Sequence, residues 1–158
     1  MDLRDKSICI IGLGFVGLTL AAVLAKKGFR VHGIERKKEI LNFLKIKQGH
    51  FYEPGLNKTI KQIIANKKFT FSNKIKNSKC SVYIITVGTP LNNKKKIITS
   101  YIKDTAREIK KVLKDDDLII LRSTVRIGTT RKIVEPILNE KGVKFDLSYC
   151  PERAVEGS

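Results

Sequence analysis

Apolar positions along this chain switch between short unbroken runs and a period of about 3.6 residues, which predicts strands followed by helices. Ser7-Ile8-Cys9-Ile10-Ile11 is a continuous apolar run too short for a helix and reads as a strand buried on both faces. The glycine-rich stretch Gly12 to Gly17 separates it from a helix of Leu, Ala and Val over residues 18–27, with Gly28 as its stop. Residues 29–35 form a second strand that ends on an acid. Helical spacing returns through Ile40, Leu41 and Leu44 in residues 38–46. It appears again through Leu56, Ile60, Ile63 and Ile64, with Pro54 placed as a first-turn proline. Residues 69–71 are a short strand and residues 81–87 a stronger one. Thr99 or Ser100 then caps a helix whose apolar face is Ile102, Ala106, Ile109, Val112 and Leu113. Residues 117–121 are the next strand. Residues 129–138 follow as a helix that Pro136 should kink or shorten, and residues 143–149 as a strand halted by Pro151.

Repeated strand–helix units demand a mostly parallel sheet covered on both faces, so the expected fold is α/β, a Rossmann-type doubly wound sheet of six strands. The length of 158 residues, with 42% hydrophobic and 30% charged, suits one soluble domain. No apolar run reaches the 18 residues of a membrane span, and the first residues lack a small-residue cleavage site. Cys9, Cys80 and Cys150 are too few and scattered for a disulfide framework or a zinc cluster. The expectations are therefore a cytoplasmic protein with no metal and no membrane contact, and with Cys9 and Cys80 in the core. His32 reads as a packed or surface residue, and His50 is given no role.

The net charge of +17 changes the picture only a little. The lysines are spread along the chain, Lys94-Lys95-Lys96 being the one tight run, and no basic–aromatic stripe offers bases a stacking surface. The excess reads as solvated surface without a specific nucleic-acid site, in a field that favours a small phosphate-bearing ligand.

The candidate chemistry begins at Gly12-Leu13-Gly14-Phe15-Val16-Gly17. A bare GxGxxG carries little information, but this one follows a strand, opens a helix, and has an acid at the end of the next strand. Gly12 permits the tight turn, Gly14 lets the backbone approach a pyrophosphate, and Gly17 lets helix and strand pack closely. Glu35, 18 residues past Gly17, stands where a carboxylate takes the hydroxyls of an adenosine ribose. That carboxylate repels a 2′-phosphate and so points to NAD, while Arg36-Lys37-Lys38 beside it keeps NADP as the alternative. Hydroxyls or carboxylates recur at the other strand ends, in Val87-Gly88-Thr89-Pro90, Arg122-Ser123-Thr124-Val125 and the residues after Cys150. Ligands bind beyond those ends in doubly wound sheets.

With Tyr52-Glu53-Pro54-Gly55-Leu56 and Pro151-Glu152-Arg153 added, five motifs stand in the order and spacing of the nucleotide-sugar dehydrogenases. Over essentially its whole length the chain resembles the N-terminal NAD-binding domain of the UDP-glucose/GDP-mannose dehydrogenase family. The resemblance implies oxidation of the C6 primary alcohol of a nucleotide sugar to a carboxylate with two NAD in succession, through a cysteine-bound thioester. It implies cofactor contacts at Gly12, Leu13, Gly14, Phe15, Val16, Gly17 and Glu35. Further cofactor contacts are implied at Val87, Gly88, Thr89 and Pro90, at Ser123, Thr124 and Val125, and at Glu156. It makes Glu152 the acid that handles protons, with Thr124 near the catalytic water. Glu152, Arg153, Ala154, Val155 and Glu156 would border the UDP-sugar.

Arg153-Ala154 stands where UDP-glucose enzymes carry Phe-Leu, so the chain leans to the UDP-N-acetylhexosamine branch. On the same resemblance, residues 1–158 are one truncated domain. The family's catalytic Cys, Lys and Asn are then expected in central and C-terminal UDP-sugar domains beyond residue 158. The full-length enzyme is expected to be a homodimer or higher homo-oligomer. Cys150 adjoins Glu152 but is not where the family places its nucleophile. The alternatives are a 3-hydroxyacid or 6-phosphogluconate-type dehydrogenase, or a non-catalytic NAD- or nucleic-acid-binding Rossmann module.

Overall fold

The computed structural model describes residues 6–76, 79–95 and 97–152. Its core is a six-stranded sheet in the order β3-β2-β1-β4-β5-β6, with every neighbouring pair parallel. The strands are β1 (Ser7–Ile11), β2 (Arg30–Ile34), β3 (Phe69–Ser72), β4 (Cys80–Ile85), β5 (Asp117–Leu121) and β6 (Phe145–Tyr149). Parallel neighbours need long crossovers. The chain supplies them as α1 (Phe15–Lys26), α2 (Lys38–Lys45), α3 (Leu56–Ala65) and α4 (Ser100–Val112). The last is a π-helical turn (Thr130–Val134) that runs into α5 (Glu135–Asn139). The expected doubly wound α/β architecture is the one found.

The unbroken apolar run of β1 is explained by burial on both faces. Ile8 and Ile10 point into one layer with Leu18, Ala21, Ile60, Ile63 and Phe69. Cys9 and Ile11 point into the other, with Tyr83, Ile85, Ile102, Ile109 and Leu121. The hydrogen bond to the Cys80 thiol, and then burial, push the Cys9 thiol far above its ordinary pKa. Cys9 and Cys80 are therefore inert core side chains, as expected.

Several boundaries differ from the expected ones. α1 starts at Phe15 rather than Leu18, because the second half of the glycine loop already forms its first turn. Pro54 is not inside the first turn of α3, since Gly55 is the N-cap at φ +78° and the helix begins at Leu56. Thr99 occupies the N-cap of α4, but its side chain makes no capping hydrogen bond. β4 ends at Ile85, which frees Thr86 and Val87 for the loop. The single helix expected over 129–138 winds as a π-turn and then as α-helix from Glu135. Pro136 thus sits in the first turn of α5, next to the π-turn.

Candidate functional site

The chain builds β1, β2 and β3 outward in one direction, then crosses back to lay β4, β5 and β6 on the other side of β1. At that reversal the crossovers diverge to opposite faces and leave a crevice beyond the carboxyl ends of β1 and β4. A cavity of about 800 Å³ occupies it. The loops after β1, β2, β4 and β5 form its wall, together with α4 and Glu152 beyond β6.

The three loop glycines do different things. A side chain at Gly12 (φ +95°) would meet the Thr86 carbonyl oxygen at 2.8 Å. One at Gly17 would stand 1.8 Å from the Gly12 oxygen, so loop and helix touch backbone to backbone there. A Cβ at Gly14 would meet nothing within 4 Å, because that residue faces the cavity. α1 makes its first intrahelical bond from Leu18 N–H to the Gly14 carbonyl (2.9 Å), so the amides of Phe15, Val16 and Gly17 precede the ladder at the positive end of the helix dipole. Thr86 Oγ1 lies 2.7 Å from the Gly12 oxygen and 3.0 Å from that of Ile11, and donates to this pair of carbonyls.

Glu35 stands at the β2 end of the cavity. Its Oε2 accepts from Leu13 N–H and its Oε1 from Lys37 N–H, both at 2.9 Å, which fixes the carboxylate beside the glycine loop. Arg36 turns to Glu108 of α4 (3.2 Å), an exposed pair that contributes little stability. His50 packs edge-on against Phe51, which in turn contacts the Phe15 ring at the loop. Burial lowers the pKa of His50, with the nearby Glu35 charge pulling the other way.

On the far side, Ser123 Oγ donates to the Val87 carbonyl (2.7 Å) and Thr89 Oγ1 to the Thr124 carbonyl (2.8 Å). These two bonds stitch the β4 and β5 loops into one wall. Arg122 extends from the end of β5: Nη2 pairs with Glu152, and Nη1 approaches the Cys150 oxygen (3.5 Å) and Sγ (3.4 Å). The Glu152 amide also donates to the Arg122 carbonyl (3.4 Å).

Most of the residues that the sequence singles out for the cofactor meet in this wall: Gly12, Gly14, Phe15 and Val16, Glu35, Val87 to Pro90, Ser123 and Thr124, with Glu152. Leu13, Gly17 and Val125 do not line it. The Leu13 side chain is fully buried over Gly33, and its backbone alone reaches Glu35. Gly17 is sealed against Gly12, and Val125 packs on the core layer of α4. Arg153, Ala154, Val155 and Glu156 lie outside the described residues.

Thr86, Tyr101 and Thr105 belong to the wall without having been singled out, and Arg122, named only with its strand-end stretch, was given no role of its own. Thr86 was hidden because its neighbours read as strand. Arg122 gave no local signal, since its partner lies 30 residues away in sequence. Among the described residues no group of three His, Cys, Asp or Glu could hold a metal ion, and no helix is long and apolar enough to cross a membrane.

Residues 6–158 match the NAD binding domain of the UDP-glucose/GDP-mannose dehydrogenase family. The UDP-N-acetyl-D-mannosamine dehydrogenase of Methanococcus maripaludis is 35% identical over 156 residues, which cover 96% of this chain and 35% of that protein. The structure of a UDP-glucose dehydrogenase from Pyrobaculum islandicum superimposes with a TM-score of 0.88 at 30% identity, over 97% of this chain and 37% of that one. The native UDP-N-acetyl-mannosamine dehydrogenase of Staphylococcus aureus does so with a TM-score of 0.88 at 28% identity, over 95% and 37%. The chain spans about a third of the length of these relatives.

Proposed function

This chain belongs to the UDP-glucose/GDP-mannose dehydrogenase family as its NAD-binding domain, and from that footing we propose that it is the cofactor-binding part of a nucleotide-sugar 6-dehydrogenase. The substrate class is a UDP-N-acetylhexosamine, a reading supported by Cys150-Pro151-Glu152-Arg153 and by relatives named for UDP-N-acetyl-D-mannosamine. The sugar would lie between this sheet and residues outside 1–158, which would also supply the nucleophilic cysteine. The working protein is cytoplasmic and a homodimer or larger in this proposal.

One observation carries the reading. The glycine loop, Glu35, Thr124 and Glu152 come from four strand ends far apart in sequence and line one cavity at the topological switch. The residues fit NAD: bare backbone at Gly14 gives a pyrophosphate room, the open end of α1 offers it amides, and Glu35 offers a carboxylate to the ribose. When bound, NAD supplies a hydride acceptor. Glu152 would take up or return a proton at the C6 hydroxyl and at the water that cleaves the thioester. Thr124 would orient that water through its hydroxyl.

The test uses the 158-residue chain and a longer protein that carries it. Calorimetric titration of the chain should show NAD binding, and UDP-N-acetylmannosamine should yield no NADH from it. The longer protein should reduce NAD with that sugar and lose the activity in E152Q. Absence of NAD binding by folded chain overturns the cofactor site, and sugar-dependent NADH from the 158 residues alone overturns the assignment of the nucleophile.

A further inference from the structure

We propose that Arg122 is a positioning residue that holds Glu152 ionised and aimed across the cavity, an inference that rests on the function proposed above for Glu152. Arg122 and Glu152 are matched in exposure, each side chain 22% accessible, and they form an ion pair at the rim of an apolar-walled cavity. A guanidinium stays charged at any working pH, and an opposite charge in contact favours the ionised carboxylate. The same residue grips the segment that carries Glu152: its Nη1 reaches the Cys150 carbonyl, and its backbone carbonyl accepts the Glu152 amide. Glu152 is therefore set by backbone and side chain together, from β5, rather than by its own strand alone.

The other charged side chains lining the cavity, Glu35, Arg36 and Lys37, stand at the β2 end, and the Tyr101 hydroxyl belongs to α4. Among the described residues of the cavity wall, Arg122 pairs with Glu152. Fork geometry also matters, since a lysine at 122 keeps the charge but cannot engage Glu152 and Cys150 as two separate donors would.

The deciding experiment compares Arg122→Gln, Arg122→Lys and wild type in the longer sugar-oxidising protein, as kcat and KM for NAD across pH 5 to 10. Arg122→Gln should lower kcat at least tenfold, leave KM for NAD within about threefold, and move the acid limb of kcat upward by about one pH unit. Arg122→Lys should hold the limb near its wild-type position with a smaller loss of kcat. An unmoved limb in Arg122→Gln, or a loss confined to KM for NAD, overturns the proposal. A second arm needs no turnover. In the 158-residue chain the carboxyl ¹³C resonance of Glu152 should titrate at higher pH in Arg122→Gln than in wild type, and equal midpoints overturn the proposal. If the longer protein fails to oxidise the sugar, the function proposed above falls, while this arm still decides whether Arg122 governs Glu152.

Discussion

At the scale of single residues, the glycine loop meets two separate demands. Gly17 is required by packing, because any Cβ there collides with the Gly12 carbonyl at 1.8 Å. Gly14 is not required by packing, because the fold itself has open space there, and on the proposed function it is the ligand that needs the bare backbone. Gly17→Ala should therefore lower stability by about 2 kcal/mol or more, as forced overpacking of backbone against backbone does. Gly14→Ala should leave the urea midpoint nearly unchanged and weaken NAD binding at least tenfold. Parallel denaturation and calorimetry of the two variants check this, and equal midpoints for both would refute the assigned roles.

At the scale of elements, the pairing of β2 with edge strand β3 carries a titratable link. His32 Nδ1 and Nε2 lie 2.8 and 2.9 Å from the hydroxyls of Thr70 and Ser72. Ser72 gives its own proton to the Lys74 carbonyl, so it accepts from Nε2–H and leaves Nδ1 to accept from Thr70. Burial lowers the His32 pKa and so favours this neutral form. The native state thus binds a proton less readily than the unfolded chain. Stability is unaffected by His32 above its ordinary titration near pH 6.5 and falls as pH drops below it. His50 shares this direction. The His32→Gln variant should lose less stability between pH 7.5 and 5.5 than wild type, measured as the shift in urea midpoint.

At the scale of the whole molecule, two apolar layers on opposite faces of one parallel sheet hold six strand ends at a common edge. The cavity exists because the direction of strand addition reverses between β1 and β4. A ligand that binds there and not to the unfolded chain stabilises the entire fold. NAD at a hundred times its dissociation constant should add about 2.7 kcal/mol, read as a rise in the thermal midpoint. The rise should shrink as salt is added, because the +17 charge assists an anionic ligand only within the Debye length.

The elements, their order and the fold class were legible in the sequence, because each strand is a compact apolar run and each helix repeats its apolar face locally. That the glycine loop and Glu35 meet at one cavity was legible for a related reason: their placement depends on spacing within one strand–helix–strand unit. The end of β4 at Ile85 and the π-turn over Thr130–Val134 were not, since Thr86 is taken up by loop bonds to Ile11 and Gly12 and a π-turn carries the same local apolar signal as an α-helix. Only tertiary structure turned Leu13 inward, made Ser123 and Thr89 into cross-links, and paired Arg122 with Glu152. Local chain energetics write themselves into neighbouring residues, whereas contacts between the ends of different strands are fixed by how the sheet is wound and leave no periodic trace.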